Sequence, residues 1–200
     1  MKKWVIGIDE VGRGPLAGPV TLCAVMMKVA DYKKFQATQQ FLGLKDSKKL
    51  SKEKREVWRK NLVGWKKKGN LKFALSSSQN SVIDSKGLSF AIRVALARCL
   101  LKLNANPKDS LILLDGGLKA PAHFLFQRTI IKGDEKEPII SLASIIAKTT
   151  RDRRMNLLGE LFLPYDFVAN KGYGTKKHLI AIKVHGTCAI HRKSFLKHLS

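Results

Sequence analysis

The alternation of apolar and polar positions divides the chain into short apolar runs early on and longer helical patterns later. Residues 4–9 (WVIGID) form an apolar run that ends in acid, the pattern of a buried strand. After a Gly/Pro-rich turn over 12–19, Val20–Lys28 is rich in β-branched and apolar residues and predicts a second strand. Leu71–Ser77, Ser110–Leu114 and Gln127–Lys132 predict a third, a fourth and a fifth. Residues 51–68 put Val57, Trp58, Leu62 and Trp65 on one helical face and Lys52, Arg55, Arg59 and Lys66 largely elsewhere. Residues 89–103 are apolar nearly all round and predict a buried helix with Ser89 as its N-cap. Residues 138–162 predict the longest helix. A loop over about 164–174, a short helix near 175–184 and a basic tail complete the chain. Hairpin-like strands followed by alternating helices and strands predict an α/β fold, one sheet with helices on its faces. Neither a repeat nor a Pro/Ser-rich linker interrupts 1–200, so one domain is expected, with 164–200 as a C-terminal loop and helix segment.

Charge changes this picture more than any other bulk property. Thirty-eight Lys and Arg against fifteen Asp and Glu give a net charge of +23. Such an excess points to a polyanionic partner, because neutralising phosphates releases condensed counterions. No apolar run approaches the roughly 20 residues that span a bilayer, and the opening MKKWVIGIDE turns acidic too early for a signal peptide. Cys23, Cys99 and Cys188 are isolated and odd in number, which argues against a disulfide framework and fits a reducing cytoplasm.

With so few carboxylates, their placement carries information. Asp9 and Glu10 end the first apolar run, Asp115 ends LILLD, and Asp134 follows IIKG just before the long helix. Successive strand residues point to opposite faces, so Asp9 and Glu10 share a site only where the strand ends and bends, as Gly12-Arg13-Gly14-Pro15 suggests. Chemistry in α/β sheets collects outside strand ends. Carboxylates brought together repel unless a cation neutralises them. Hard oxygen ligands suit Mg²⁺ or Mn²⁺, and two such ions stabilise the attacking and leaving oxygens of a phosphoryl displacement. Singly, Asp115-Gly116-Gly117 also reads as a turn, and Asp134, Glu135 and Glu137 as complements to a helix N-terminus. Jointly, the four acids read as a metal site.

The residues that carry this pattern resemble a known family. Gly7 to Pro19 (GIDEVGRGPLAGP) is similar to the N-terminal signature of ribonuclease HII, the type 2 ribonucleases H. Further matches follow in the family's order: Asp46-Ser47-Lys48-Lys49-Leu50, Leu114-Asp115-Gly116, Lys132-Gly133-Asp134, Ala143 to Lys148 running into Arg151-Asp152-Arg153, Lys171 to Thr175, and His191 to Phe195. The resemblance implies a ribonuclease H-like mixed five-stranded sheet flanked by helices, with a short helical C-terminal segment. It implies Asp9, Glu10, Asp115 and Asp134 as metal-binding catalytic acids, and hydrolysis to a 3′-hydroxyl and a 5′-phosphate. Its implied substrates are RNA–DNA hybrids and duplex DNA containing ribonucleotides, cut 5′ of the ribonucleotide. It also implies that Gly12, Arg13 and Gly14, together with Tyr173, recognise the 2′-hydroxyl, the group that distinguishes RNA from DNA. A monomer is expected.

Other residues admit two readings. Ser47 and Lys48 precede a helix, where they meet phosphates or simply solvate its start. Ser141, Ser144, Lys148 and Arg151 fall on one stripe of the long helix, either contacting phosphates beside Asp134 or forming a solvent face with a Lys148–Asp152 pair. Asp152 is the second choice for the fourth acid, although its flanking arginines favour an ion pair. His185, Cys188 and His191 have a zinc-like spacing but no fourth ligand, and Gly186 interrupts them. Arg192, Lys193 and Ser194 are expected on the nucleic-acid backbone. His178 is a candidate near the scissile phosphate, with packing as the simpler reading. Gly12 to Gly18 is rejected as a dinucleotide fingerprint, because its third glycine is late and Pro15 and Pro19 suit a helix start poorly. Two rival functions share these features: a non-catalytic nucleic-acid binding protein, and a DNA nuclease or resolvase of the same fold.

Overall fold

In the computed structural model, residues 2–38 and 50–197 are described. The strands are β1 (Trp4–Val11), β2 (Val20–Lys28), β3 (Lys72–Ser78), β4 (Ser110–Asp115) and β5 (Gln127–Ile130). They form one mixed sheet in the order β3-β2-β1-β4-β5. β1, β2 and β3 are antiparallel neighbours, whereas β4 and β5 join in parallel. The parallel step from β1 to β4 needs a crossover. Helices α1 (Val29–Gln36), α2 (Lys52–Lys67), α3 (Asn80–Lys86) and α4 (Leu88–Lys102) lie along the chain between β2 and β4.

Helices cover both faces of the sheet, so β2 is buried at every residue but Lys28. Strand periodicity sorts the core into two layers. Ile6, Ile8, Leu22, Ala24, Ile112 and Leu114 pack against Ala91, Ala95, Leu96 and Cys99 of α4. Val5, Cys23, Val25, Met27 and Leu113 face the other way, onto Leu62 of α2 and Ile139, Leu142 and Ile146 of α6 (Pro138–Leu161). At Gly7, β1 comes directly against α6, and an added Cβ would lie 2.4 Å from the Ile139 carbonyl carbon. A bare glycine is what lets the two backbones meet.

The predicted strands match to within two residues. The last stops at Ile130, because Lys132 takes a left-handed φ of 54° and the chain turns into α5 (Gly133–Lys136). Ser89 is not the N-cap of α4. That helix starts at Leu88 after Gly87, whose φ is 83°, and no side chain caps it. Nor is α4 buried all round, since Leu101 is 80% exposed. Val57 also leaves its predicted face and points to solvent. The expected loop over 164–174 contains a 3₁₀ turn (Leu163–Tyr165) and α7 (Phe167–Asn170), followed by α8 (Lys176–His185) and α9 (Lys193–Leu196). Among the described residues, no helix is long and apolar enough to cross a membrane.

Candidate active site

A cleft of ≈ 330 Å³ opens where β1 outruns its neighbour β4. The β4 ladder pairs with β1 only from Trp4 to Ile8, so Asp9, Glu10 and Val11 have β2 alone beside them. Contrary to the sequence expectation, the strand does not end at the acids. It continues to Val11, and the Glu10 N–H donates to Asp9 Oδ1 at 2.7 Å. That contact draws the Asp9 carboxylate along the strand, and both acids line the cleft. Asp115, the last residue of β4, lines it as well.

Charge and burial oppose each other here. Burial, then the neighbouring Glu10 and Asp115 charges, push Asp9 well above the usual carboxylate range, while a hydrogen bond from Ser144 pulls it back. Burial raises Glu10 too, against the lowering effect of Arg13, whose Nε donates to Glu10 Oε1. Glu10 Oε2 is buried without a hydrogen-bond partner. Asp115 Oδ1 accepts the Gly133 N–H at 2.7 Å. Asp134 follows that glycine but is fully buried and set back from the cleft lining, and its carbonyl accepts the Ser141 hydroxyl. The four acids are therefore neighbours without forming a ready-made cage. Among the described residues, no group of three or more His, Cys, Asp or Glu stands poised to hold a metal ion. The donor chemistry nonetheless fits a hard divalent cation. All donors are oxygens, one is buried without a partner, and the crowding that raises Asp9 is what a cation would relieve.

Opposite the acids stands a rim of basic and neutral groups. Arg13, Arg55, Ser144, Lys148 and Tyr173 all line the cleft. The Tyr173 ring is 42% exposed, and an added Cβ on Gly14 would lie 4.0 Å from its Cε1. Lys148 pairs with Asp152 at 3.0 Å, so Asp152 is an ion-pair partner of the lysine rather than of its flanking arginines. Arg55 was not singled out as a site residue from the sequence. It belongs to the polar side of α2, where no spacing distinguishes a cleft-facing arginine from a solvated one.

Two arginines expected on the nucleic acid have a different place. Arg151 is fully buried and donates to the carbonyls of Pro19 (3.0 Å), Lys171 (2.9 Å) and Ala17 (3.2 Å). Arg192, also fully buried, donates to Gly18 (2.9 Å), Arg13 (2.8 Å) and Gly12 (2.7 Å). Each guanidinium spends three of its five N–H donors on these carbonyls, and full burial keeps it from phosphate. Their planar forks instead fix the turn over 12–19, which is tied down further by an isolated bridge between Ala17 and His191. Gly12 fits beneath Arg151 only as glycine: its φ is 92°, and a Cβ would lie 2.4 Å from Arg151 Nε. Ser194 likewise turns inward, its N–H (2.9 Å) and hydroxyl (2.5 Å) both donating to Asp84 Oδ1. Ser141 is buried beneath Asp134, so of the predicted stripe only Ser144 and Lys148 reach the cleft. Ser47 and Lys48 lie outside the described residues.

Carboxylates on a mixed α/β sheet beneath a basic rim define a metal-dependent phosphodiester hydrolase. Residues 6–198 match the sequence profile of the family described as Ribonuclease HII. A ribonuclease HII of Prochlorococcus marinus (strain MIT 9515) is 39% identical over 199 residues, 100% of this chain and 90% of that one. One from Bacillus anthracis is 43% identical over 192 residues, 96% of this chain and 68% of that one. The ribonuclease HII of Archaeoglobus fulgidus, solved in a complex with PCNA, is 24% identical and shares the fold, with a TM-score of 0.73 over 94% of this chain and 93% of that one. The chain belongs to the ribonuclease HII family, and is thus a metal-dependent endoribonuclease.

Proposed function

We propose that this enzyme hydrolyses the RNA strand of RNA–DNA hybrids and cuts 5′ of ribonucleotides embedded in duplex DNA, leaving a 3′-hydroxyl and a 5′-phosphate. The observation that carries this reading is one cleft in which Asp9, Glu10 and Asp115 face Arg13 and Tyr173. Asp9, Glu10, Asp115 and Asp134 would hold the metal, Mg²⁺ or Mn²⁺. Bound there as a pair, such ions supply an activated water and neutralise charge on the departing oxygen. The remaining work falls to the chain itself. The Gly12–Gly14 main chain, free of bulky side chains at its two glycines, approaches the sugar edge closely. Tyr173 presents its ring to a sugar and its hydroxyl to a 2′-oxygen, the group that tells RNA from DNA. Ser144 orients the Asp9 carboxylate, and Lys148 offers its ammonium to a backbone phosphate. Residues 1–200 act as one domain and one monomer in this reading.

The test is a duplex bearing a single ribonucleotide, incubated with Mg²⁺, Mn²⁺ or EDTA, for wild type and Asp134→Asn. Expected is one metal-dependent incision 5′ of the ribonucleotide, abolished in the variant. Cutting of an all-DNA duplex would favour a DNA nuclease or resolvase. Binding without any cleavage would favour a non-catalytic protein. Undiminished activity of Asp134→Asn would remove that residue from the site.

A further inference from the structure

Against the Tyr173 main chain, two histidines thirteen positions apart in the sequence meet ring to ring. His178 of α8 and His191 are 0% and 1% exposed, and their Nε2 atoms are 3.0 Å apart. The Cys188 N–H donates to His191 Nδ1 at 2.9 Å, which requires a lone pair on that nitrogen. A neutral His191 must then carry its proton on Nε2 and point it at His178. On the far side, His178 Nδ1 lies 2.8 Å from the Tyr173 carbonyl oxygen, which only accepts, so that nitrogen carries the second ring's proton. One arrangement of protons satisfies all three contacts: Cys188 N–H to His191, His191 Nε2–H to His178, and His178 Nδ1–H to the Tyr173 carbonyl. A third proton has no place. On His178 it would oppose the His191 Nε2–H across 3.0 Å, and on His191 it would meet the Cys188 N–H.

We propose that His178 and His191 are positioning residues, a neutral relay in which His191 Nε2–H fixes the His178 ring so that its Nδ1–H holds the Tyr173 main chain at the rim of the cleft. The inference rests on the reading that Tyr173 contacts the nucleic acid. The surroundings favour the neutral pair. Tyr165 and Phe167 pack against both rings, with Tyr165 4.8 Å from His191 and Phe167 5.3 Å from His178. The titratable neighbours Tyr165 and Cys188 are both pushed up by burial and stay uncharged below pH 8. The adjacent charge, Arg192, is turned away onto the carbonyls of Gly12, Arg13 and Gly18. None of the hydrogen bonds to the two rings comes from a carboxylate that would hold an imidazolium. In keeping with this, burial lowers His178, and burial with the His178 charge takes His191 down to about 4. Neither histidine lines the cleft itself.

The test has two arms. Side-chain ¹⁵N NMR of the wild type at pH 7.5 should find His191 in the Nε2–H form and His178 in the Nδ1–H form, both neutral. The opposite tautomer, or a charged ring at pH 7.5, would overturn the relay whatever the variants do. In the second arm, His178→Ala should raise KM for a single-ribonucleotide duplex about tenfold with kcat within about twofold. His178→Asn, whose amide replaces the Nδ1–H donor, should restore most of that loss. An unchanged KM in His178→Ala, together with an unshifted Tyr173 ring signal, would overturn the proposal. If Tyr173→Ala itself leaves KM unchanged while the tautomers and the ring signal behave as expected, the relay stands and the substrate contact falls.

Discussion

The two walls of the cleft are built on opposite terms. On the acid wall, Asp9, Glu10 and Asp115 crowd one another, Asp9 is driven up by burial and like charge, and a buried oxygen of Glu10 has no partner. On the rim, the turn is closely bonded: Arg151 and Arg192 bind six carbonyls, five of them in the turn, and the Gly172 carbonyl accepts the Leu16 N–H at 2.8 Å. The contrast teaches that shape and charge are divided between the walls. The rim is held by bonds already made, whereas the acid wall keeps crowded charge that a cation would relieve.

Breaking the acid wall should have the largest effect. Asp9→Asn is expected to reduce cleavage by at least about 10²–10³-fold, the usual consequence of removing a group that stabilises transition-state charge. The same change should raise Tm at neutral pH. Asp9 is raised in the folded protein, so its charged form costs stability above the folded pKa, and that cost is absent when the residue is neutral. Saturating Mg²⁺ should stabilise the wild type, by about 2.7 kcal/mol at a hundred times its Kd, and stabilise the variant far less. A variant that is both fully active and unchanged in Tm would erase the contrast.

Breaking the rim should act on the fold instead. Arg192→Lys keeps the charge but loses the fork, leaving two of three buried carbonyls unpaired. We expect a loss of about 3–5 kcal/mol in urea unfolding, because unsatisfied buried acceptors and a misfitted cation add. A loss below about 1 kcal/mol would show that the turn holds itself.

A pH series sharpens the comparison with a smaller, reversible change. His191 is held neutral, at about 4 against 6.5 when unfolded. Below pH 6.5 the unfolded chain therefore binds a proton that the folded one refuses. Stability is full above pH 6.5 and falls by about 3 kcal/mol on reaching pH 4. His191→Asn should flatten this limb of the urea-unfolding profile, and an unchanged limb would place the acid sensitivity elsewhere.

Much of this was legible in the amino-acid order. The strands are short apolar or β-branched runs, so their limits come within two residues. Asp9, Glu10 and Asp115 stood out because acids rarely close apolar runs. Arg151, Arg192 and Ser194 misled because a basic or hydroxyl side chain looks solvated in the sequence, whereas the arginines bind main-chain carbonyls and Ser194 binds the Asp84 carboxylate. Arg192 reaches carbonyls 174 to 180 positions away, and a carbonyl leaves no trace in residue type. Short helices such as Gly133–Lys136 and Phe167–Asn170 run for barely one turn, too little for any periodicity. His178 and His191 were visible singly, but only folding could pair them.

Gly7 gives the cleft a fixed origin of measurement. Strand and long helix touch there, Gly7 against Ile139, and then travel side by side toward Asp9 and Ser144. Two strand residues advance about 6.6 Å and five helical residues about 7.5 Å, so carboxylate and hydroxyl arrive level with each other. A methyl group at position 7 would lift the helix at its mooring and carry Ser144 off Asp9, silencing the chemistry from a site that no substrate touches.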